Sequence, residues 1–375
     1  MSDITRIVLT GGISGGHTFP LVAVSRSIRK QLSGNVEFLF IGSKGNFEST
    51  AMAEEGIPTQ YILTGKWRRY FSFQNLIDLF RLPIGFIQAL VKLLFFMPDA
   101  VFSKGGSASV PVVLASWVYH IPVLTHDSDA VAGKANRFLA RFATRIAVAY
   151  PSAHNFFPTD KTVLTGNPVR EELLLGDPGR FSKEFGLELD KMVILVLGGS
   201  QGAQILNEAI LRILPGLLKR NIQVVHQTGE KNYETIVASV EAYGLKVGTS
   251  GYVPRAFLSA TELADVLKVA TIVISRAGAG SIAELSAMKK ASILVPLASS
   301  ANDEQRLNAY DVAEIGGALV IEEGNLGQNM FLEKIDELLA HPELRASMGE
   351  KLTAFYHPDA SDTLASGVIA LAQNK

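Results

Sequence analysis

The sequence predicts an α/β protein of two similar domains, each built on a parallel sheet. Three observations carry this. Short apolar runs alternate with longer helical patterns along the whole chain, the mark of repeated βαβ units. The plan of buried strand, glycine loop and amphipathic helix occurs at residues 4–32 and again at 192–210. The glycines that open the two loops, Gly11 and Gly198, stand 187 positions apart in a chain of 375 residues, half its length.

Composition narrows the function classes. Hydrophobic residues make up 47% and charged residues 19%, enough apolar material for two cores. With 35 basic and 36 acidic residues the net charge is −1, which gives no electrostatic footprint for nucleic acid. Cysteine is absent, which excludes disulfides, thiolate metal sites and cysteine nucleophiles and fits the cytoplasm. The N-terminus runs almost directly into the first strand, so no signal peptide is expected.

The first strand is "ITRIVLT" (4–10), and a helix is expected over 18–32. Between them lies "GGISGGHTFP" (11–20). Bare backbone before a helix N-terminus offers N–H donors to a phosphate or an oxyanion. Neither common phosphate loop fits: His17, not lysine, follows Gly16, and the G-x-G-x-x-G spacing is missing. A tight turn without a ligand is the competing reading, and the single imidazole of His17 weighs against it.

Strands at 36–42, 99–103, 122–126, 145–149 and 162–166 complete the first sheet. Residues 65–97 start with Lys66, Arg68 and Arg69 interleaved with Trp67, Tyr70 and Phe71. A helical pattern follows that is apolar over too much of its circumference for a plain surface helix, and Pro83 is expected to break it. Composition supports equally a helix packed on its own domain and a surface resting on an anionic membrane. Residues 105–125 carry no charge, but two glycines, Pro111 and Pro122 make them a turn, a buried helix and a buried strand rather than a membrane span. "THDSDAVAGKANR" (125–137) then gathers His126, Asp127, Asp129, Asn136 and Arg137 after a buried strand. "TGNPVR" (165–170) sets the turn pair Asn167-Pro168 before Arg170, a natural diphosphate partner.

The apolar pattern lapses over 173–187, and the domains are expected at 1–175 and 176–375, with a return of the last helix to the first domain left open. Second-half strands are expected at 192–198, 223–227, 246–253, 271–275, 292–296 and 318–322. "GGSQGA" (198–203) repeats the anion logic, with the Ser200 hydroxyl as a further donor. "RAGAGSIAEL" (276–285) puts Glu284 about two turns into a helix, where a carboxylate can accept both hydroxyls of a ribose; the bland alternative is a solvated helix residue. Ligands of open parallel sheets sit at the carboxyl ends of the strands, so two such domains are expected to form a cleft with both glycine loops on its walls.

Eight motifs in order then resemble one family, the bacterial MurG enzymes: "GGISGGHTFP", "KGGSASVP", "AGKANR", "TGNPVR", "LGGSQGA", "HQTG", "RAGAGSIAEL" and "ILVPLASSANDEQRLNA", spanning nearly the whole chain. The resemblance implies a GT-B fold of two Rossmann-like domains. It implies inverting transfer of N-acetylglucosamine from UDP-GlcNAc to lipid I, the undecaprenyl-diphosphate-linked muramoyl pentapeptide. The product would be β-(1→4) linked, and the enzyme would sit peripherally on the cytoplasmic face of an anionic membrane. It implies that Ser14, Gly15 and Gly16 lie beside the transferred sugar and diphosphate, and that Arg170 and Ser200 contact the donor's diphosphate. Val253 would bind uracil through its backbone. Ala279, Gly280, Ser281, Ile282, Ala283 and Glu284 would hold the nucleotide, and Gln305 would read GlcNAc hydroxyls. His17 would be the base or would position the acceptor, with Asp127 the next candidate for the base. Lys104 and Asn136 join residues 66–71 on the acceptor and membrane side.

The sequence departs from the family pattern at four places. Ile13 stands where glycine is usual, Gly280 where leucine is usual and Glu304 where histidine or glutamine is usual. The His-Glu-Gln-Asn motif is here His126, Asp127, Ser128 and Asp129, so Asp129 replaces a donor-site asparagine. Asp127 and Asp129 form a pair that could hold Mg²⁺ or Mn²⁺. The architecture known for such pairs has one nucleotide-binding domain, which conflicts with the repeat, so no metal and no cofactor are expected. A UDP-GlcNAc 2-epimerase and a non-catalytic UDP-sugar-binding protein are the alternatives.

Overall fold

The computed structural model describes residues 4–12, 15–65, 73–199, 202–248 and 251–374. Contacts divide the chain into two units, Met1–Val169 with His357–Lys375, and Arg170–Tyr356.

In the first unit the described strands are β1 (Thr5–Thr10), β2 (Val36–Gly42), β3 (Thr59–Tyr61), β4 (Ala100–Ser103), β5 (Val123–Asp127), β6 (Arg145–Val148) and β7 (Thr162–Leu164). They form one parallel sheet in the order β3-β2-β1-β4-β5-β6-β7, with Leu9 in register with Phe40 on one side and Phe102 on the other. The side-chain period of two divides β1 between two cores. Ile7 and Leu9 pack with Leu21, Val24 and Ile28 and with Leu364 and Val368 of the final helix, Ala360–Gln373. Val8 packs on the other face with Ala89, Leu93, Val112 and Leu139. Burying side chains of this size contributes roughly 1.5–3 kcal/mol each, so the last helix completes the first unit's core.

In the second unit the described strands are β8 (Val193–Leu197), β9 (Gln223–Gln227), β10 (Tyr252–Arg255), β11 (Ile272–Ser275), β12 (Ser292–Leu294) and β13 (Leu319–Val320), again parallel, in the order β10-β9-β8-β11-β12-β13. Ile194 and Val196 pack on Leu206, Ile210 and Leu214 of the helix Gln204–Lys219. In both sheets the strand order reverses beside the first strand of the unit, between β1 and β4 and between β8 and β11. The crevice at such a reversal, outside the carboxyl ends, is where open parallel sheets bind ligands.

Several elements differ from the sequence reading. The strand expected at 246–253 starts only at Tyr252, because Gly248 and Gly251 take φ of 80° and 81° and break an extended run. The helix Phe73–Phe96 runs through Pro83, which is exposed, where a missing N–H costs least. The first helix is Gly15–Gln31, so His17 lies in its first turn rather than before it. The chain passes to the second unit at Arg170, not at 176. The turn Glu171–Leu175 buries Leu173, and Gly176 lies so close to the helix Ala260–Val269 that a Cβ would sit 2.2 Å from the Ala264 carbonyl. Among the described residues no helix is long and apolar enough to cross a membrane.

Candidate active site

In the first unit the loops after β1 and β4 meet at His17, and the turn after β5 reaches Lys104 beside it. Its Nδ1 lies 3.3 Å from the Lys104 carbonyl. A carbonyl only accepts, so Nδ1 carries the proton and Nε2 is the bare nitrogen. The ring lies against Gly12, where a Cβ would come 3.0 Å from Nε2, and near Gly106, where a Cβ would lie 3.1 Å from Gly12 Cα and 3.7 Å from the imidazole. The His17 ring therefore crowds Gly12, while Gly106 is held to glycine by its φ of 82° and its approach to the Gly12 backbone. Burial first, and the Lys104 charge second, lower the His17 pKa from 6.5 to about 4.

Asp127 ends β5 and is buried. Its oxygens accept from the backbone N–H of Asp129 at 3.3 Å, that of Gly133 at 3.1 Å and Nδ2 of Asn136 at 2.9 Å. These three donors make Asp127 the acceptor that closes the 127–133 turn. Asn136 is buried with it and holds the Asp127 carboxylate through Nδ2. Gly105, at φ 78°, has no room for a side chain, since a Cβ would lie 2.0 Å from Asn136 Oδ1. Lys104 is 2% exposed and donates from Nζ to Ser128 Oγ, so it is an internal cation and not a membrane-facing one. Asp129 is half-buried beside it, and Gly15 and Gly16 form the first turn of the His17 helix.

The exposed side of the Phe73–Phe96 helix carries Ile84, Ile87, Val91 and Leu94, one stripe at helical spacing, followed by Phe95 at 82% exposure. Its other face packs in the core through Ala89 and Leu93. The helix therefore packs on its own domain and still leaves an apolar stripe uncovered. Trp117, Tyr119 and Phe138 are also exposed in this unit, and Phe142 makes ring contacts with Trp117 and Phe138 at 5.4 Å. Lys66, Trp67, Arg68, Arg69, Tyr70 and Phe71 lie outside the described residues, as do Ser14 and Ser200.

In the second unit Arg170 and Glu284 meet. Arg170 donates from Nε at 2.9 Å and from Nη2 at 2.8 Å to the same Glu284 oxygen. The helix Ala279–Ala287 starts at Gly278 with no side-chain cap, which leaves its first N–H groups open. The implied nucleotide run divides by helical phase: Gly280, Ser281 and Glu284 face outward, whereas Ala279, Ile282 and Ala283 are buried and have only backbone to offer. Among the described residues, a Cβ added to Gly199, at φ 80°, would have nothing within 4 Å. Gln305 accepts from the Leu297 N–H at 3.1 Å. It sits in a helix, Glu304–Glu314, that follows two consecutive left-handed residues, Asn302 and Asp303 at φ 54° and 62°. Such strain gathers at functional loops. Val253 is different. The Gly251 and Arg255 carbonyls accept from the N–H groups of Val224 in β9 and of Thr228 just after it. The period of the ladder thus turns the Val253 backbone toward β9 as well, and the outward backbone of this edge strand belongs to Tyr252 and Pro254.

Sequence reasoning missed Ser128, which holds the Lys104 ammonium, and Asn167, whose amide donates to the Ser128 carbonyl at 3.0 Å. The polar turn residues were visible, but their partners are 24 and 39 residues away.

Comparison with known proteins bears on these sites. Residues 7–148 match the glycosyltransferase family 28 N-terminal domain and residues 193–364 the family 28 C-terminal domain. A UDP-N-acetylglucosamine--N-acetylmuramyl-(pentapeptide) pyrophosphoryl-undecaprenol N-acetylglucosamine transferase of Lachnospira eligens is 41% identical over 341 residues, 89% of this chain and 91% of that protein. Among solved structures, Acinetobacter baumannii MurG superposes with a TM-score of 0.74 at 24% identity, over 98% of this chain and 99% of that one. A UDP-GlcNAc 2-epimerase from Neisseria meningitidis, bound to UDP-GlcNAc, superposes at 0.70 with 13% identity, over 98% of this chain and all of the other. At these identities the two structures speak for the fold alone.

Proposed function

We infer the activity from one premise: the chain belongs to the MurG enzymes of glycosyltransferase family 28. It transfers N-acetylglucosamine from UDP-GlcNAc to lipid I, with inversion, to form the β-(1→4) linkage of lipid II in peptidoglycan synthesis. The observation that carries this is the 41% identity to a transferase of that activity over nine-tenths of both chains. The two Rossmann-like units supply the GT-B fold on which such transfer runs.

The donor is assigned to the second unit. Glu284 takes the ribose hydroxyls and Arg170 the diphosphate, while the open N–H groups at the start of the Ala279–Ala287 helix favour negative charge there. As the bond to the sugar breaks, charge grows on the UDP oxygen, and these donors together with the 198–203 loop stabilise it. The acceptor is assigned to the first unit. The 4-hydroxyl of the muramoyl sugar donates to Nε2 of His17, attacks the anomeric carbon, and gives up its proton as the new bond forms. A pKa of about 4 keeps the imidazole neutral and ready to accept at neutral pH.

The acceptor's lipid tail stays in the bilayer, so the enzyme must approach the membrane. The apolar stripe Ile84, Ile87, Val91, Leu94 and Phe95 suits the interface, and Lys66, Arg68 and Arg69 suit anionic headgroups. The site is therefore peripheral, on the cytoplasmic face. The test is release of UDP from UDP-GlcNAc with and without a lipid-linked muramoyl acceptor. Acceptor-dependent release is expected. Release without acceptor, or interconversion of the sugar instead, would point to the epimerase, and binding without release to a non-catalytic protein.

A further inference from the structure

We propose that Lys104 is a positioning residue for the transfer step: its carbonyl holds Nδ1 of His17, and its buried ammonium ties the 127–133 turn, through Ser128, to that same point. This rests on the activity and on the role of His17 given above.

Lys104 follows β4 at the point where the strand order of the first sheet reverses. Its N–H donates to the Thr10 carbonyl at 2.8 Å, which prolongs the β1–β4 pairing by one residue. Its backbone is thus fixed against the first glycine loop, and a Cβ on Gly11 would lie 3.4 Å from the Lys104 Cβ. From this fixed backbone the carbonyl meets His17 and the side chain runs inward to Ser128.

An ammonium in this place is costly, and an apolar side chain would fill the space without that cost. Here the charge is compensated from one side: Asp127 and Asp129, on the β5 turn, both attract it. Asp127 is closed in by its three donors. Ser128 between them is held from its other side by Asn167. The ammonium is therefore the pin between a rigid turn and the residue whose carbonyl sets the His17 ring. The other titratable groups that the ammonium faces are two imidazoles, His17 on the first helix and His126 on β5, and it helps to hold both neutral. His126 is committed through Nε2 to the Gly166 carbonyl at 3.0 Å and is fully buried with its bare Nδ1, whereas His17 is only half-buried, which leaves His17 as the imidazole that a substrate can reach.

The expected behaviour separates positioning from mere packing. Lys104→Met keeps the carbonyl and the bulk but removes the pin. With UDP-GlcNAc and a lipid-linked acceptor, kcat should fall at least tenfold while KM for UDP-GlcNAc stays within twofold. In ¹⁵N spectra of histidine-labelled protein without substrate, the His17 signal, assigned by its loss in His17→Gln, should change from one Nδ1–H tautomer to a mixture. If Lys104→Met does not fold, the charge-balanced Lys104→Met/Asp129→Asn variant is read in its place. A folded variant with kcat within twofold and an unchanged tautomer overturns the proposal, whatever its melting temperature does. A parent protein that transfers no sugar refutes the activity instead, and the tautomer then still decides the role of Lys104.

Discussion

Arg170 and Glu284 share one carboxylate oxygen, with the guanidinium Nε at 2.9 Å and Nη2 at 2.8 Å. The two residues assigned to opposite ends of the donor, its diphosphate and its ribose, are thus ion-pair partners of each other. Binding UDP has to divide them or share them. Glu284→Ala should weaken UDP by about 1–3 kcal/mol, the range for a hydrogen bond to a charged group. Calorimetric titration reads this directly, and the Arg170→Ala/Glu284→Ala double variant should lose less than the sum of the single losses. Unchanged affinity in Glu284→Ala removes the residue from the site.

His17→Ala should lower kcat by at least about 100-fold, the lower end of what acid–base groups contribute. UDP affinity should hardly move, because the nucleotide is assigned to the other unit. A loss of less than tenfold per folded molecule would reject His17 as the group that takes the proton.

Acid should destabilise the fold through its buried imidazoles. The pKa of His17 is lowered to about 4 and that of His226 to about 3, and His126 lies well below its ordinary value, burial being the main cause in each. Below pH ~6.5 the unfolded chain binds protons that the folded chain refuses, so stability is full above that pH and falls as the pH drops toward 4. Each histidine contributes a slope approaching about 1.4 kcal/mol per pH unit. Urea denaturation at pH 7 and pH 5 checks the sign. A flat profile would show that these rings are not held neutral.

Two glycines should respond in opposite ways to alanine. Gly105→Ala forces a left-handed residue and a Cβ 2.0 Å from Asn136 Oδ1, and should cost more than about 1 kcal/mol. Gly280 has open space around it in a helical turn, so Gly280→Ala should gain up to about 1 kcal/mol. Melting temperatures of the two variants decide this, and equal shifts would contradict the packing described for Asn136.

Replacing Ile87, Leu94 and Phe95 by serine should reduce sedimentation with vesicles of any charge, since these side chains act by apolar burial. Replacing Lys66, Arg68 and Arg69 by serine should reduce it with anionic vesicles only, at about 1 kcal/mol per cation. Undiminished binding in both variants would remove this face as the membrane contact.

Transfer should survive EDTA in metal-free buffer. Both oxygens of Asp127 are occupied by N–H donors, so the Asp127–Asp129 pair is poorly placed to hold a cation. Complete loss of activity restored by Mn²⁺ or Mg²⁺ would reverse this assignment.

The sequence by itself determined the architecture. Alternating buried strands and helical patterns left a parallel sheet as the economical way to satisfy the backbone, and the repeat of Gly11 by Gly198 announced two such sheets. It also located the polar clusters after β1, β5 and β11, because glycine, histidine and carboxylates concentrate where strands end. What each polar residue does there was decided only by tertiary structure. Asp127 reads from the sequence as a metal-ligand candidate or a second candidate for the base, and nothing along the chain shows that Gly133 and Asn136 donate to it. Lys104 reads as a surface cation until Ser128, 24 residues on, is found at its end. Gly105 reads only as part of a turn until Asn136, 31 residues on, is found in the place its Cβ would need. Local pattern is fixed by neighbours along the chain, whereas burial and hydrogen-bond partnership depend on residues that only folding brings together.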